Sequence, residues 1–149
     1  MKIVNRKFHR EYEELEKLEA GIVLSGAEVK SIRDGSLKLD DAYVKIMGGE
    51  AFLINADVPI YKFTRPTGYD SRRSRKLLLH KKELLRLQVK LQSGGNLTIA
   101  PVSCYNKGRH IKLEIALVKG RKDVEKRKLE KSRDIEREVK REVKEYMKS

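Results

Sequence analysis

Apolar and polar side chains alternate most regularly over residues 111–118, where Leu113, Ile115 and Leu117 take one face and Lys112, Glu114 and Ala116 the other. A period of two marks a strand with one face on a core. Residues 96–102 form a similar β-rich run, and Asn106-Lys107-Gly108 between the two supplies a turn, so an antiparallel hairpin is predicted. Residues 42–47 and 51–56, rich in β-branched and aromatic side chains around Gly48-Gly49-Glu50, predict a second hairpin. Val29 and Ile32 predict a helix over 27–33, and Leu84, Leu87, Gln88 and Leu91 share a helical face over 80–92 that Gly94 would end. Leu85, Leu87, Val89 and Leu91 also fit a period of two, but the Lys, Glu, Leu and Gln content weighs that segment toward helix. Residues 12–20 have helix-forming composition and 21–24 that of a strand, so composition alone predicts helix then strand.

The pattern changes at Lys119-Gly120. Residues 121–149 hold twelve Lys or Arg and eight Asp or Glu, too few apolar groups for a core of their own. The expected organisation is a β-rich body, 1–119, and a basic tail, 120–149. Within the tail Ile135, Val139, Val143 and Met147 recur every fourth residue beside Arg133, Arg137 and Arg141, so a helix would carry an apolar stripe next to a cationic one. An isolated helix of this kind needs tertiary support. Two readings follow: disordered or marginally helical when free and helical when bound, or a charged helix docked on the body or forming a coiled-coil arm.

Thirty-five Lys and Arg against 22 Asp and Glu give a net charge of +13, which favours a polyanionic partner, nucleic acid before membrane. No apolar run approaches the roughly 18 residues of a spanning helix, and residues 1–7 show no export signal. The single Cys104 cannot form an internal disulfide, which fits a reducing cytoplasm, and its strand-like surroundings make it a buried small hydrophobe. The densest basic segment, 64–76, carries Arg65, Arg72, Arg73, Arg75 and Lys76 with Tyr69. Guanidinium groups can grip phosphates bidentately and a tyrosine can stack on a base; a solvated loop is the alternative. His9, His80 and His110 sit in unrelated contexts, and Asp40-Asp41 reads as a cap or turn pair rather than a magnesium site. No catalytic residue, metal or cofactor is expected.

Five ordered blocks carry a resemblance over nearly the whole chain: Glu19-Ala20-Gly21; Gly26-Ala27-Glu28-Val29-Lys30-Ser31-Ile32-Arg33; Asp41-Ala42-Tyr43-Val44 with Gly49-Glu50-Ala51-Phe52-Leu53; Arg73-Ser74-Arg75-Lys76-Leu77-Leu78-Leu79-His80-Lys81-Lys82-Glu83; and Lys112-Leu113-Glu114-Ile115-Ala116-Leu117-Val118-Lys119-Gly120-Arg121-Lys122. On these the sequence resembles the bacterial SsrA-binding protein (small protein B) family, which carries transfer-messenger RNA to stalled ribosomes. The resemblance implies a mainly β fold, an OB-like antiparallel β-barrel with about three short helices and the basic tail. It places residues 12–24 mainly in the first strand, against composition. It implies contacts to the tRNA-like domain of transfer-messenger RNA at Glu19, Leu78 and Lys112, with Glu28, Lys30, Arg33, Arg73, Arg75 and Lys76 close by. Without it, Leu78 reads as a core leucine and Glu19 and Glu28 as cap or ion-pair residues.

For the tail the resemblance implies entry into the empty mRNA channel and decoding centre of the small ribosomal subunit, through Lys119, Gly120, Arg121, Lys122, Lys126 and Arg127, with Arg133, Arg137 and Arg141 continuing the cationic row. The chain departs from the family pattern at His9-Arg10, at Cys104-Tyr105-Asn106, at His110 where Trp is common, and at Asp123-Val124. The implied protein is a cytoplasmic monomer without enzymatic activity, working alongside alanyl-tRNA synthetase and elongation factor Tu. A general tRNA- or rRNA-binding, ribosome-associated protein is the alternative function.

Overall fold

The computed structural model describes residues 1–63 and 68–148; Arg65 of the basic segment lies outside them. In chain order the elements are β1 (Lys2–Val4), α1 (Phe8–Glu11), β2 (Tyr12–Ile22), α2 (Gly26–Arg33), β3 (Tyr43–Met47), β4 (Glu50–Ile54), β5 (Arg75–Leu78), α3 (Lys81–Gln92), β6 (Leu97–Lys107), β7 (His110–Gly120) and α4 (Asp123–Lys148). Six strands close into an antiparallel ring, β6-β3-β4-β5-β2-β7 and back to β6, with β1 added outside on β6. Two seams of the ring are thin: β3 meets β6 only at Val44 opposite Ile99, and β2 meets β5 only at Gly21 and Ile22 opposite Leu78 and Leu77.

The mainly β, ring-closed architecture with three short helices matches the family expectation. Both predicted hairpins form. In the β3–β4 hairpin Met47 pairs with Glu50 across Gly48 and Gly49, whose φ of 58° and 76° are those of a two-residue turn that only glycine adopts without strain. The β6–β7 hairpin is longer than the alternation suggests, running to Lys107 opposite His110, with Gly108-Arg109 as its turn. Residues 12–22 form one strand, not a helix: nine of them, from Tyr12 through Gly21, find partners on β7, and Leu15 bulges out of the register. Long-range pairing overrides the local propensity of Glu and Lys there.

The interior is filled by Ile32, Leu39, Leu53, Leu87, Ile99, Leu113 and Ile115, each at most 1% exposed. Burying a side chain of this size contributes roughly 1.5–3 kcal/mol. The later part of the even-numbered face of β7, which the alternation turns outward, is covered as well. Ala116 and Val118 pack with Ala100 under Phe8 of α1, a second small core outside the ring. Asn5 ties that layer down: its Nδ2 donates to Pro101 O at 2.9 Å, and its carbonyl accepts from Phe8 N. Pro101 lies beside the β6 bulge, where a strand tolerates a residue without N–H.

A candidate nucleic-acid interface

The C-terminal end of β2 organises the outer face of the ring. Gly21 pairs on one side with Leu78 of β5 and on the other with Lys112 of β7, so both side chains emerge beside it. Glu19, two residues back on the same face, is exposed. Three strands thus bring Glu19, Leu78 and Lys112 onto one face. A shallow cleft there is lined by Gly21, Leu24, Arg33, Leu78, His110 and Lys112. Leu78 is 54% exposed, an apolar patch that the core does not claim. Its exposure depends on the glycine opposite, since a Cβ on Gly21 would come within 3.2 Å of Leu78 Cβ.

Two side chains that the sequence did not single out hold Glu19. The Tyr105 hydroxyl donates to Glu19 Oε2, and Lys107 Nζ lies 3.0 Å from Oε1. These hydrogen bonds, Tyr105's first, hold the Glu19 carboxyl below its ordinary range. Burial and then the bond to Glu19 push the Tyr105 phenol up to about 12. No local signal betrays the cluster, because it is set by the β2–β7 and β6–β7 registers together and joins residues 86 and 88 positions apart.

Arg33, at the end of α2, reaches the β6–β7 turn, where its Nη2 donates to Arg109 O at 3.1 Å. Lys76 lies on the outer face of β5, two residues before Leu78, and pairs with Glu50 at 3.0 Å. Lys30 is exposed elsewhere, its ammonium 5.8 Å from the Tyr61 ring. Glu28 and Arg75 depart from the sequence expectation: they are 1% and 0% exposed and present no surface to an RNA. Glu28 closes the capping box of α2, accepting from Ser25 N at 2.9 Å while Ser25 Oγ accepts from Glu28 N. The same carboxylate binds Arg75 and the half-exposed Arg73. Burial acts to raise its pKa, but the hydrogen bonds from Arg73, Ser25 and Arg75 outweigh it and the net shift is downward. Arg75 then holds the carbonyls of Ala56, Ser71 and Arg73, while the Tyr69 hydroxyl donates to Val58 O at 2.6 Å. The pair therefore builds the scaffold of the basic segment.

Along the tail, Lys119 and Gly120 finish β7, and Arg121 is turned back toward α1, its Nε donating to His9 O at 2.9 Å. Lys122 is exposed. Lys126 pairs with Glu11 at 2.7 Å, whereas Arg127, Arg133, Arg137 and Arg141 are exposed on α4. The tail is thus helical, docked at its root and projecting beyond. Among the described residues no three His, Cys, Asp or Glu side chains gather as metal ligands would, and no helix is long and apolar enough to cross a membrane.

The model of the SmpB protein family matches residues 2–145. The chain belongs to this family. An SsrA-binding protein of Sulfurihydrogenibium sp. (strain YO3AOP1) is 49% identical over 134 residues, covering 90% of this chain and 88% of the relative. One from Deinococcus radiodurans is 42% identical, covering 90% and 93%. A solved structure described as “tmRNA-SmpB: a journey to the center of the bacterial ribosome” is 39% identical, with a TM-score of 0.68 over 82% of this chain and 85% of that one.

Proposed function

We propose that the chain is a non-enzymatic RNA-binding factor of trans-translation, holding the tRNA-like domain of transfer-messenger RNA on the β5-β2-β7 face and bringing it to stalled ribosomes. The observation that carries this reading is the convergence of Glu19, Leu78 and Lys112 on one face of an SmpB-family fold. Each group suits RNA chemistry. Lys112 and Arg33 neutralise phosphates, the Glu19 carboxylate accepts from base edges or 2′-hydroxyls, and Leu78 offers an apolar platform to an unstacked nucleotide. The exposed cations of α4 would neutralise ribosomal RNA in the empty mRNA channel and decoding centre of the small subunit. In this reading the protein acts as a cytoplasmic monomer, and alanyl-tRNA synthetase and elongation factor Tu work on the same RNA.

The test is competition between a tRNA-like RNA and an arbitrary duplex of equal length at roughly 150 mM salt, where non-specific binding lies at about 10⁻⁴–10⁻⁶ M. Preference for the tRNA-like RNA, lost on Lys112→Ala, supports the reading. Equal binding of both RNAs would favour a general tRNA- or rRNA-binding protein instead.

A further inference from the structure

The root of the tail helix rests on α1 through a pattern of matched charges. Consecutive residues of α1, Arg10 and Glu11, face Glu130 and Lys126 of α4, which lie one helical turn apart and so share a face. Arg10 Nε is 2.5 Å from Glu130 Oε1, and Lys126 Nζ is 2.7 Å from Glu11 Oε2. Each charge of the α1 pair thus meets its opposite on α4. Just before the helix, Arg121 donates from its backbone N to Glu11 O at 2.9 Å and from Nε to His9 O and Tyr12 O at 2.9 and 3.2 Å. A guanidinium on these carbonyls satisfies the acceptors that a short helix leaves open at its C-terminal end. Phe8, 1% exposed, pins α1 to the body, so the platform itself is fixed. From Lys131 to Glu145 every residue of α4 is exposed.

We propose that Arg10 and Glu11 are positioning residues for the tail: they set the direction in which α4 leaves the body, and only the helix beyond Glu130 is free to reorganise on docking. The consequence at the ribosome rests on the function proposed above. The positioning itself does not, because it is a property of the free chain. The Lys126 hydrogen bond also holds the Glu11 carboxyl below its ordinary range, as an engaged partner should.

The test uses the full chain with nitroxide probes on Lys45→Cys and Lys131→Cys, both exposed sites; buried Cys104 does not compete for label. Pulsed electron–electron resonance should give one narrow distance distribution. The reversals Arg10→Glu and Glu11→Lys together should broaden it, and adding Glu130→Arg and Lys126→Glu should restore it. The exposed Arg10–Glu130 pair biases the docked form by no more than roughly fivefold, so it is reversed together with the partly buried Glu11–Lys126 pair. A broad distribution in the unmodified charge background, no change on reversal, or no restoration by the swap would each overturn the proposal. Melting curves of the body check that the variants fold. In the functional arm, peptide tagging on stalled ribosomes should fall with Arg10→Glu and recover with Arg10→Glu/Glu130→Arg. Tagging unchanged while the distance broadens would overturn the consequence at the ribosome and leave both the positioning in the free chain and the RNA-binding reading intact. Failure of the chain to select tRNA-like RNA would sink that reading without touching the distance result.

Discussion

Glu28 and Arg75 meet inside the protein, Arg75 Nε donating to Glu28 Oε2 at 2.7 Å with both side chains at most 1% exposed. One carboxylate thereby joins the start of α2 to β5 and, through the carbonyls that Arg75 holds, to the segment between β4 and β5. Removing one member leaves a buried charge with fewer partners, which typically costs about 3–5 kcal/mol. Arg75→Met should therefore lower the urea midpoint strongly, with the slope of the transition unchanged. Arg73→Met, whose partner keeps Arg75, should cost clearly less. Equal losses in the two variants would show that burial does not distinguish them.

Acid should expose the same pair. The folded-state pKa of Glu28 lies below its ordinary value of 4.5. A depressed carboxyl contributes stability that is fully present above the unfolded pKa and is lost as pH falls through the folded one. Unfolding free energy measured from neutral pH downward should hold until the ordinary carboxylate range is reached and then decline. Glu28→Gln should flatten that decline while lowering stability at pH 7. A decline of unchanged steepness in the variant would assign the acid sensitivity to other carboxylates.

Gly21→Ala should damage the seam between β2 and β5. The new methyl would lie 3.2 Å from Leu78 Cβ, an atom that rotation about χ1 cannot move. Strands joined at only two residue pairs must part slightly, or Leu78 must shift. Overpacking of this kind costs about 1–3 kcal/mol. RNA affinity should fall further than Leu78→Met lowers it, because the substitution displaces the platform instead of reshaping it. Titration of both variants with the tRNA-like RNA makes the comparison.

What the sequence revealed depended on how local each feature is. Leu113, Ile115 and Leu117 announce β7 because one face of that strand meets one core. Gly48-Gly49 announces a hairpin because the turn itself demands positive φ. Strand β2 is hidden behind Glu13, Glu14, Glu16 and Lys17, whose helix-forming side chains face solvent or pair with α3 and β7, as Glu16 does with Arg86 and Lys90. Ala116 reads as an outward residue until Phe8, more than 100 positions earlier, is seen to cover it. Leu78 and Lys112 were legible only through the family pattern, since their meeting beside Gly21 is a matter of register. Glu28 read from its own surroundings as a cap or ion-pair residue, and it is both; its burial with Arg75 was not legible, because two charged residues 47 apart carry no sign of it.

Cys104 provides a probe of global opening. The thiol is 0% exposed, and burial pushes its pKa up to about 12. Both effects suppress the thiolate that reacts with disulfide reagents. Modification of native protein by an aromatic disulfide at pH 8 should proceed at the rate of unfolding, and should accelerate in parallel with the destabilisation caused by Arg75→Met. Fast modification of the native chain, independent of stability, would mean that β6 opens locally at Cys104.

Where the tail is cut should decide what is lost. Truncation after Lys122 removes α4 but keeps Arg121 on the carbonyls of α1. Truncation after Gly120 removes those bonds as well. Hydrogen bonds of this kind contribute on the order of 1 kcal/mol each, and a chain of this size loses about 2–4 °C in Tm per kcal/mol. The shorter product should therefore melt several degrees below the longer one, with α1 and the Phe8 layer loosened. Both should keep their affinity for the tRNA-like RNA, because Glu19, Leu78 and Lys112 lie on strands that neither cut touches, and both should fail in tagging. Loss of RNA affinity in the longer product, with the ring still folded, would contradict the division between a binding body and a ribosome-directed tail. Equal melting of the two products would instead remove Arg121 from the contacts that hold α1 in place.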